Sequence, residues 1–125
     1  MVVIKTGIDL IEISRLHELK PVIREKFIAR VYTPAEIAYC ADSYESLTCR
    51  FAAKEAVSKV LGCGIGKIKW QDIEILSNEQ GEPKVNLYGN AKRLAKDHGF
   101  TAWTLSLSHT RSYATAIAIA YGEKQ

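Results

Sequence analysis

The sequence predicts an α+β fold, a small and largely antiparallel sheet packed with one long helix and several shorter ones. Three observations lead there. Trp103 to Ser108 and Tyr113 to Tyr121 alternate strictly, and the short polar Thr110-Arg111-Ser112 between them predicts an antiparallel pair. Ser46 to Leu61 is the longest helical pattern, rich in alanine and ended by Gly62, which suits a left-handed C-cap. Trp70 to Leu76 and Lys84 to Tyr88 read as two more strands, joined by the polar Asn78-Glu79-Gln80-Gly81-Glu82-Pro83. With 125 residues, 47% of them apolar and 25% charged, the chain has the size and balance of one soluble domain spanning 1–125. No internal repeat, low-complexity segment or linker divides it.

The remaining elements follow in order. Val2 to Ile8 suits a strand, and Ile11 to Lys20 a helix that must stop or turn at Pro21, whose ring cannot continue the ladder. Pro21 can itself open a second short helix. Thr33-Pro34-Ala35-Glu36 is a capping box with proline at the first helical position, so a short helix through Cys40 should follow. Gly89 to His98 reads as a helix capped by Gly99. In the last strand Ala114, Ala116, Ala118 and Ala120 form one face, which something must approach closely, and Tyr113, Thr115, Ile117, Ile119 and Tyr121 form the other. The long helix has two apolar arcs: Cys49, Ala52, Ala53, Ala56, Val57 and Val60, and, roughly opposite, Leu47, Phe51 and Leu61. It should therefore be buried twice, against its own sheet and against something else, a neighbouring subunit being one candidate.

Composition narrows the function classes. The N-terminal apolar run is short and ends in an aspartate, which fits a strand and not a signal peptide. No segment approaches the roughly 20 apolar residues that span a bilayer. Cys40, Cys49 and Cys63 are odd in number and widely spaced, against a disulfide framework or zinc site, and the expected home is the cytoplasm. The net charge is only +3 and the aromatics are scattered, which argues against nucleic-acid binding. Arg15, Lys20, Arg24, Lys26 and Arg30 nevertheless crowd one early stretch, able to steer an acidic partner or simply to form a solvated face.

Three residues stand out chemically. Asp9 ends an apolar strand, where a charge must be compensated by a cation or must cap the helix that follows. Glu55 lies mid-helix, four residues before Lys59, as a site residue or as half of an ordinary i, i+4 pair. His109 closes an alternating run where a side chain projects over a sheet edge, a place also occupied by surface and capping histidines. Gly62-Cys63-Gly64-Ile65-Gly66 follows a helix, which excludes a phosphate loop but permits a ligand close to the backbone.

Taken together, Gly7-Ile8-Asp9-Leu10-Ile11-Glu12, Arg30-Val31-Tyr32-Thr33-Pro34-Ala35-Glu36, Arg50-Phe51-Ala52-Ala53-Lys54-Glu55-Ala56-Val57-Ser58-Lys59 and Ser106-Leu107-Ser108-His109 resemble, in order and spacing, the bacterial holo-acyl-carrier-protein synthases, the small type of the 4'-phosphopantetheinyl transferase superfamily. The resemblance covers nearly the whole chain. Lys5, where many relatives have glycine, and Cys63, where threonine is common, depart from it.

The resemblance implies that coenzyme A donates its phosphopantetheine arm to a serine of apo acyl carrier protein, for fatty acid biosynthesis. It implies Asp9 and Glu55 as ligands of Mg²⁺, a metal that prefers hard oxygen donors. Lys59 would meet the coenzyme A phosphates, Arg50, Ser108 and His109 would lie near the nucleotide, and the loop from Gly62 would line the coenzyme path. Arg15, Lys20, Arg24 and Lys26 would dock the acidic carrier. A homotrimer with active sites at subunit interfaces is implied as well. A non-catalytic module that only bound coenzyme A or the carrier would have no need of Asp9, Glu55 and Lys59 together.

Overall fold

The computed structural model describes residues 1–63 and 66–125. Strand β1 (Val2–Glu12) is followed by a single turn α1 (Ser14–His17), then α2 (Pro21–Val31), α3 (Pro34–Cys40) and the long α4 (Tyr44–Leu61). After a 3-10 turn at Trp70–Asp72 come β2 (Ile73–Ser77), β3 (Pro83–Leu87), α5 (Gly89–Asp97), β4 (Phe100–His109) and β5 (Tyr113–Glu123). The α+β expectation holds. β1, β5 and β4 form one antiparallel sheet in that order, and β2 pairs with β3 in a separate two-stranded ladder. None of the helices is long and apolar enough to cross a membrane among the described residues.

The principal difference from the sequence reading is at the first helix. Ile11 and Glu12 are extended, because Ile11 pairs with Ala114 and Glu12 with Tyr113 in the ladder with β5. A partner a hundred residues away overrides the local helical period, and only Ser14–His17 remains to turn. The predicted break at Pro21 is real, and Pro21 starts a helix of three turns. Thr33 and Glu36 form the expected capping box, and Ser43 caps α4 by accepting from the Ser46 N–H. Gly62 ends α4 at φ 73°, the left-handed conformation that glycine adopts without strain. The strand predicted from Trp70 begins at Ile73, since Asp72 accepts from the Lys69 N–H and closes the turn before it.

The element that comes against the alanine face is α4. Ala114, Ala116, Ala118 and Ala120 are all buried; the last three share the main core with Ala52, Ala53, Ala56, Val57 and Val60 of the helix, and Ala114 packs with Ile13 and with Cys49 of α4. Gly7, which pairs with Ala118, completes this flat surface. A Cβ on Gly7 would stand 2.2 Å from the Ala56 carbonyl oxygen and 3.1 Å from Val60 Cγ2, so only hydrogen fits. The other arc of α4 is covered within the chain, not by a neighbouring subunit: Leu47 joins a second core with Leu16, Val31 and Tyr32, and Phe51 stacks with Phe27 and Trp70 at centroid separations of 5.4 and 4.9 Å. The uncovered apolar surface lies instead on the sheet's opposite face, where Ile4, Ile8, Leu10, Tyr113, Ile117 and Tyr121 are exposed.

Gly7→Ala must push α4 and β1 apart against backbone. The expected cost is about 3 kcal/mol or more, at the upper end of overpacking penalties, and it will be read as a lowered urea midpoint with an unchanged m-value.

Candidate active site

Alternation along β1 turns Lys5, Gly7, Asp9 and Ile11 toward α4. Asp9 therefore stands beside the helix surface that Gly7 admits. It caps nothing: the residue before α1 is Ile13, without a side-chain cap bond. Glu55 and Lys59, one turn apart on α4, come to the same place. The Lys59 ammonium donates to Asp9 Oδ1 at 3.2 Å and to the Ile8 carbonyl at 2.9 Å, so it reaches across to the strand. Asp9 is largely covered, its side chain 17% exposed against 53% for Lys59. Burial pushes the Glu55 carboxyl above the usual carboxylate range, the Asp9 charge raises it further, and Lys59 opposes both. The one ammonium is thus paired with Asp9 while Glu55 feels both charges at a distance, and a further cation would relieve the repulsion between the two acids.

Arg50 comes to a different place. It lies with Lys54 on the face of α4 turned toward α3 and β2, in the wall of an open cleft of about 880 Å³ that runs along the end of β4. The guanidinium is buried, Nη1 donating to Ser46 Oγ at 3.2 Å and Nη2 to Ser77 Oγ at 3.0 Å, with the Tyr39 ring 4.5 Å below it. No carboxylate pairs with it among the described residues, and its Nε has no hydrogen-bond partner there. A buried cation held by neutral hydroxyls is set up to receive an anion. His109 and Arg111 line the same cleft, as does Glu45 on the rim. His109 is exposed, with Nδ1 3.2 Å from the Thr110 carbonyl. Ser108 also borders the cleft but sits opposite Thr115, on the outer face of the sheet.

The structure thus joins Asp9, Glu55 and Lys59 in one cluster and Arg50, Ser108 and His109 in another. β1 and β4 are opposite edges of the sheet, with β5 between them, so one chain does not bring the two clusters together. Gly62 ends α4 on the Lys5 side, 3.8 Å separating Lys5 Nζ from the position a Cβ would take. Gly64 and Ile65 of the glycine loop lie outside the described residues.

Of the basic stretch, Arg15, Lys20, Lys26 and Arg30 are exposed. Arg24 is committed within the chain. Its guanidinium donates to the carbonyls of Leu16, His17 and Leu19 at 2.7 to 3.0 Å, tying α2 to the end of α1, and lies over the Tyr44 ring. Beside this stretch Leu16, Leu19, Phe27, Phe51 and Ile11 enclose an apolar hollow of about 250 Å³.

Sequence reasoning missed the polar group next to Glu55. Lys54 is wholly buried and pairs with Glu36 Oε1 at 2.8 Å, donating also to the Trp70 carbonyl at 3.1 Å and to that of Ile73. Glu36 accepts from the N–H of Thr33 and of Ile75, both at 2.9 Å. Thr33 donates its hydroxyl to Glu74 at 2.6 Å, and Tyr88 donates to the same carboxylate at 3.1 Å. The available signal was the spacing of Leu47, Phe51, Lys54, Ser58 and Leu61, which places Lys54 inside an apolar arc.

The comparisons agree with this architecture. The family model described as the 4'-phosphopantetheinyl transferase superfamily matches residues 5–118. The holo-[acyl-carrier-protein] synthase of Moorella thermoacetica is 49% identical over 119 residues, which cover 93% of this chain and 92% of that one. That of Halothermothrix orenii is 43% identical over 116 residues, covering 90% and 93%. The crystal structure of the Helicobacter pylori holo-[acyl-carrier-protein] synthase in complex with coenzyme A superposes with a TM-score of 0.83 at 31% identity, covering 92% of this chain and 98% of that one. The chain belongs to the 4'-phosphopantetheinyl transferase superfamily.

Proposed function

We propose that this chain, as one domain, transfers the 4'-phosphopantetheine moiety of coenzyme A to a serine of apo acyl carrier protein, giving holo-acyl carrier protein and 3',5'-ADP for fatty acid biosynthesis in the cytoplasm. What carries the reading is the cluster of Asp9, Glu55 and Lys59, set beside a glycine that lets strand and helix meet, in a chain whose relatives named holo-[acyl-carrier-protein] synthase match it nearly end to end.

The carrier serine oxygen attacks the phosphorus that bears the pantetheine, the bond from that phosphorus to the bridging oxygen of the diphosphate breaks, and 3',5'-ADP departs with the bridging oxygen. Lys59 offsets the charge gathering on the diphosphate. Glu55, whose burial raises the proton affinity of its carboxylate, accepts the serine proton in its ionised form. Arg50 and His109 hold the nucleotide end and its 3'-phosphate, with Ser108 at the rim and the turn at Gly62 along the coenzyme path. Asp9 and Glu55 suit Mg²⁺, since both are hard oxygen donors whose mutual repulsion a divalent ion relieves, and no group of three histidine, cysteine or acidic side chains among the described residues forms a competing site. When bound there, Mg²⁺ would supply the positive charge that stabilises the transferred phosphoryl. The remaining work is positioning.

Two further parts belong to this reading. The acidic carrier docks on Arg15, Lys20 and Lys26, with Arg24 tying α1 to α2 between them. The working form is a homotrimer in which the apolar outer face of the sheet packs against a second copy, and the two clusters that one chain keeps apart meet across that contact.

Intact mass of apo acyl carrier protein, incubated with the chain, coenzyme A and Mg²⁺, should rise by one phosphopantetheine, and EDTA should abolish the gain. Binding of coenzyme A without any gain, for several carriers, would make the chain a binding module. Glu55→Gln should lower turnover by more than about a hundredfold, beyond the loss typical of a residue that merely supports a metal ligand, while circular dichroism stays unchanged. Arg15→Glu combined with Lys26→Glu should raise the carrier KM and flatten its salt dependence, leaving the coenzyme A KM in place. Ile117→Lys should give a folded monomer in sedimentation velocity, with turnover lost.

A further inference from the structure

Two charged pairs at i, i+4 spacing follow one another along α4 at an offset of five residues, Arg50 with Lys54 and Glu55 with Lys59. At 3.6 residues per turn that offset makes them face directions about 140° apart. The first pair faces α3 and β2, and the second faces β1. Lys54 touches neither cluster of the proposed site. Its ammonium is spent on Glu36 and on the carbonyls of Trp70 and Ile73, while Glu36 reaches the N–H of Ile75 on the same strand. Arg50 grips the far end of that strand at Ser77. Among the described residues this is the one ion pair with both side chains fully buried. Such pairs contribute little net stability, and their best-attested use is to specify one arrangement among several.

An arrangement needs specifying here. The middle of the surface on which α4 lies is Gly7 and the alanines of β5, with Ile11 and Leu105 to the sides; the small residues fix how near the helix comes but offer few ridges to fix its rotation. We propose that Lys54, through Glu36, is a positioning residue for the transfer reaction, setting the rotation of α4 so that Glu55 meets Asp9 and Arg50 enters the cleft. The inference rests on the proposed function for the roles of Glu55 and Arg50. A helix with side chains has a radius of about 5–6 Å, so a turn of about 20° moves a side-chain tip by roughly 2 Å. A misplacement of about 1 Å at reacting atoms can cost on the order of a hundredfold in rate.

The test compares Lys54→Met and Glu36→Asp with Phe100→Leu, a core variant on β4 that touches neither cluster. All are assayed as full-length protein for carrier modification and for 3',5'-ADP affinity, at a temperature where circular dichroism shows wild-type helix content. Lys54→Met and Glu36→Asp should each lower kcat at least tenfold per folded molecule, and Lys54→Met should also weaken 3',5'-ADP binding several-fold. Phe100→Leu should keep wild-type kcat despite a lowered unfolding midpoint. If Lys54→Met does not fold, Glu36→Asp decides alone, because it keeps the charge and shortens the reach by one methylene. Folded variants at wild-type kcat, or an equal loss in Phe100→Leu, overturn the positioning role while leaving the activity intact. A wild-type chain that transfers no phosphopantetheine overturns the proposed function and this role with it.

Discussion

How near α4 can come to the sheet governs nearly everything else in this molecule. Side chains on packed elements ordinarily keep backbones 8–10 Å apart, and smaller residues at the contact bring them closer. Here the strands offer Gly7 and four alanines, and the helix offers Ala52, Ala53 and Ala56. The result is a strand whose carboxylate, two residues beyond the glycine, lies within reach of a lysine on the helix. With a bulkier seam Asp9 and Glu55 would still exist, but as two separate surface acids without influence on one another.

The charges on α4 divide the helix by function. Its β1 side carries Lys59 at the surface and Glu55 half-buried beside it, where water can reach them. The opposite flank carries Arg50 and Lys54 into the interior, each met by hydrogen-bond partners. Burying two cations on one flank of a helix is costly unless each is answered locally, and the answers differ in kind. Lys54 receives a full carboxylate and two carbonyls, a closed set. Arg50 receives hydroxyls and an aromatic face, a set that keeps its positive charge available to the cleft. The same helix therefore presents a sealed cation and an open one, four residues apart.

Helix limits and caps were legible because they depend on neighbours in sequence: the Thr33–Glu36 box, the stop at Gly62, the restart at Pro21. Asp9 and Glu55 could be singled out as charges in apolar company, but the sequence left Asp9 between cap and ligand until the ladder with β5 extended the strand through Glu12. The role of Glu36 was hidden for the opposite reason. Its capping box accounts for the residue completely at the local level, so nothing in the pattern asked for a second partner eighteen residues on. The cover over Phe51 came from Phe27 and Trp70, one before and one after it in the chain, and no periodicity in α4 could say so. The separation of His109 from Asp9 was invisible as well, since it depends on β5 lying between the two strands that carry them.

The alternation in β5 also bears on how faithfully the chain folds. Shifting a strand by one residue against its neighbour exchanges its two faces. In β5 that slip would drive Tyr113, Ile117 and Tyr121 into a gap sized for methyl groups and turn the alanines outward, so the misaligned state clashes as soon as α4 docks. A slip by two residues restores the faces but brings Gly122 and Tyr121 out of step with the bulge near Phe100 on β4. The strand can thus be assembled in one alignment only. Because Asp9 faces Ala116 in that alignment, the height of the carboxylate along α4 is fixed by the same steric proofreading that aligns β5, and needs no ligand to select it.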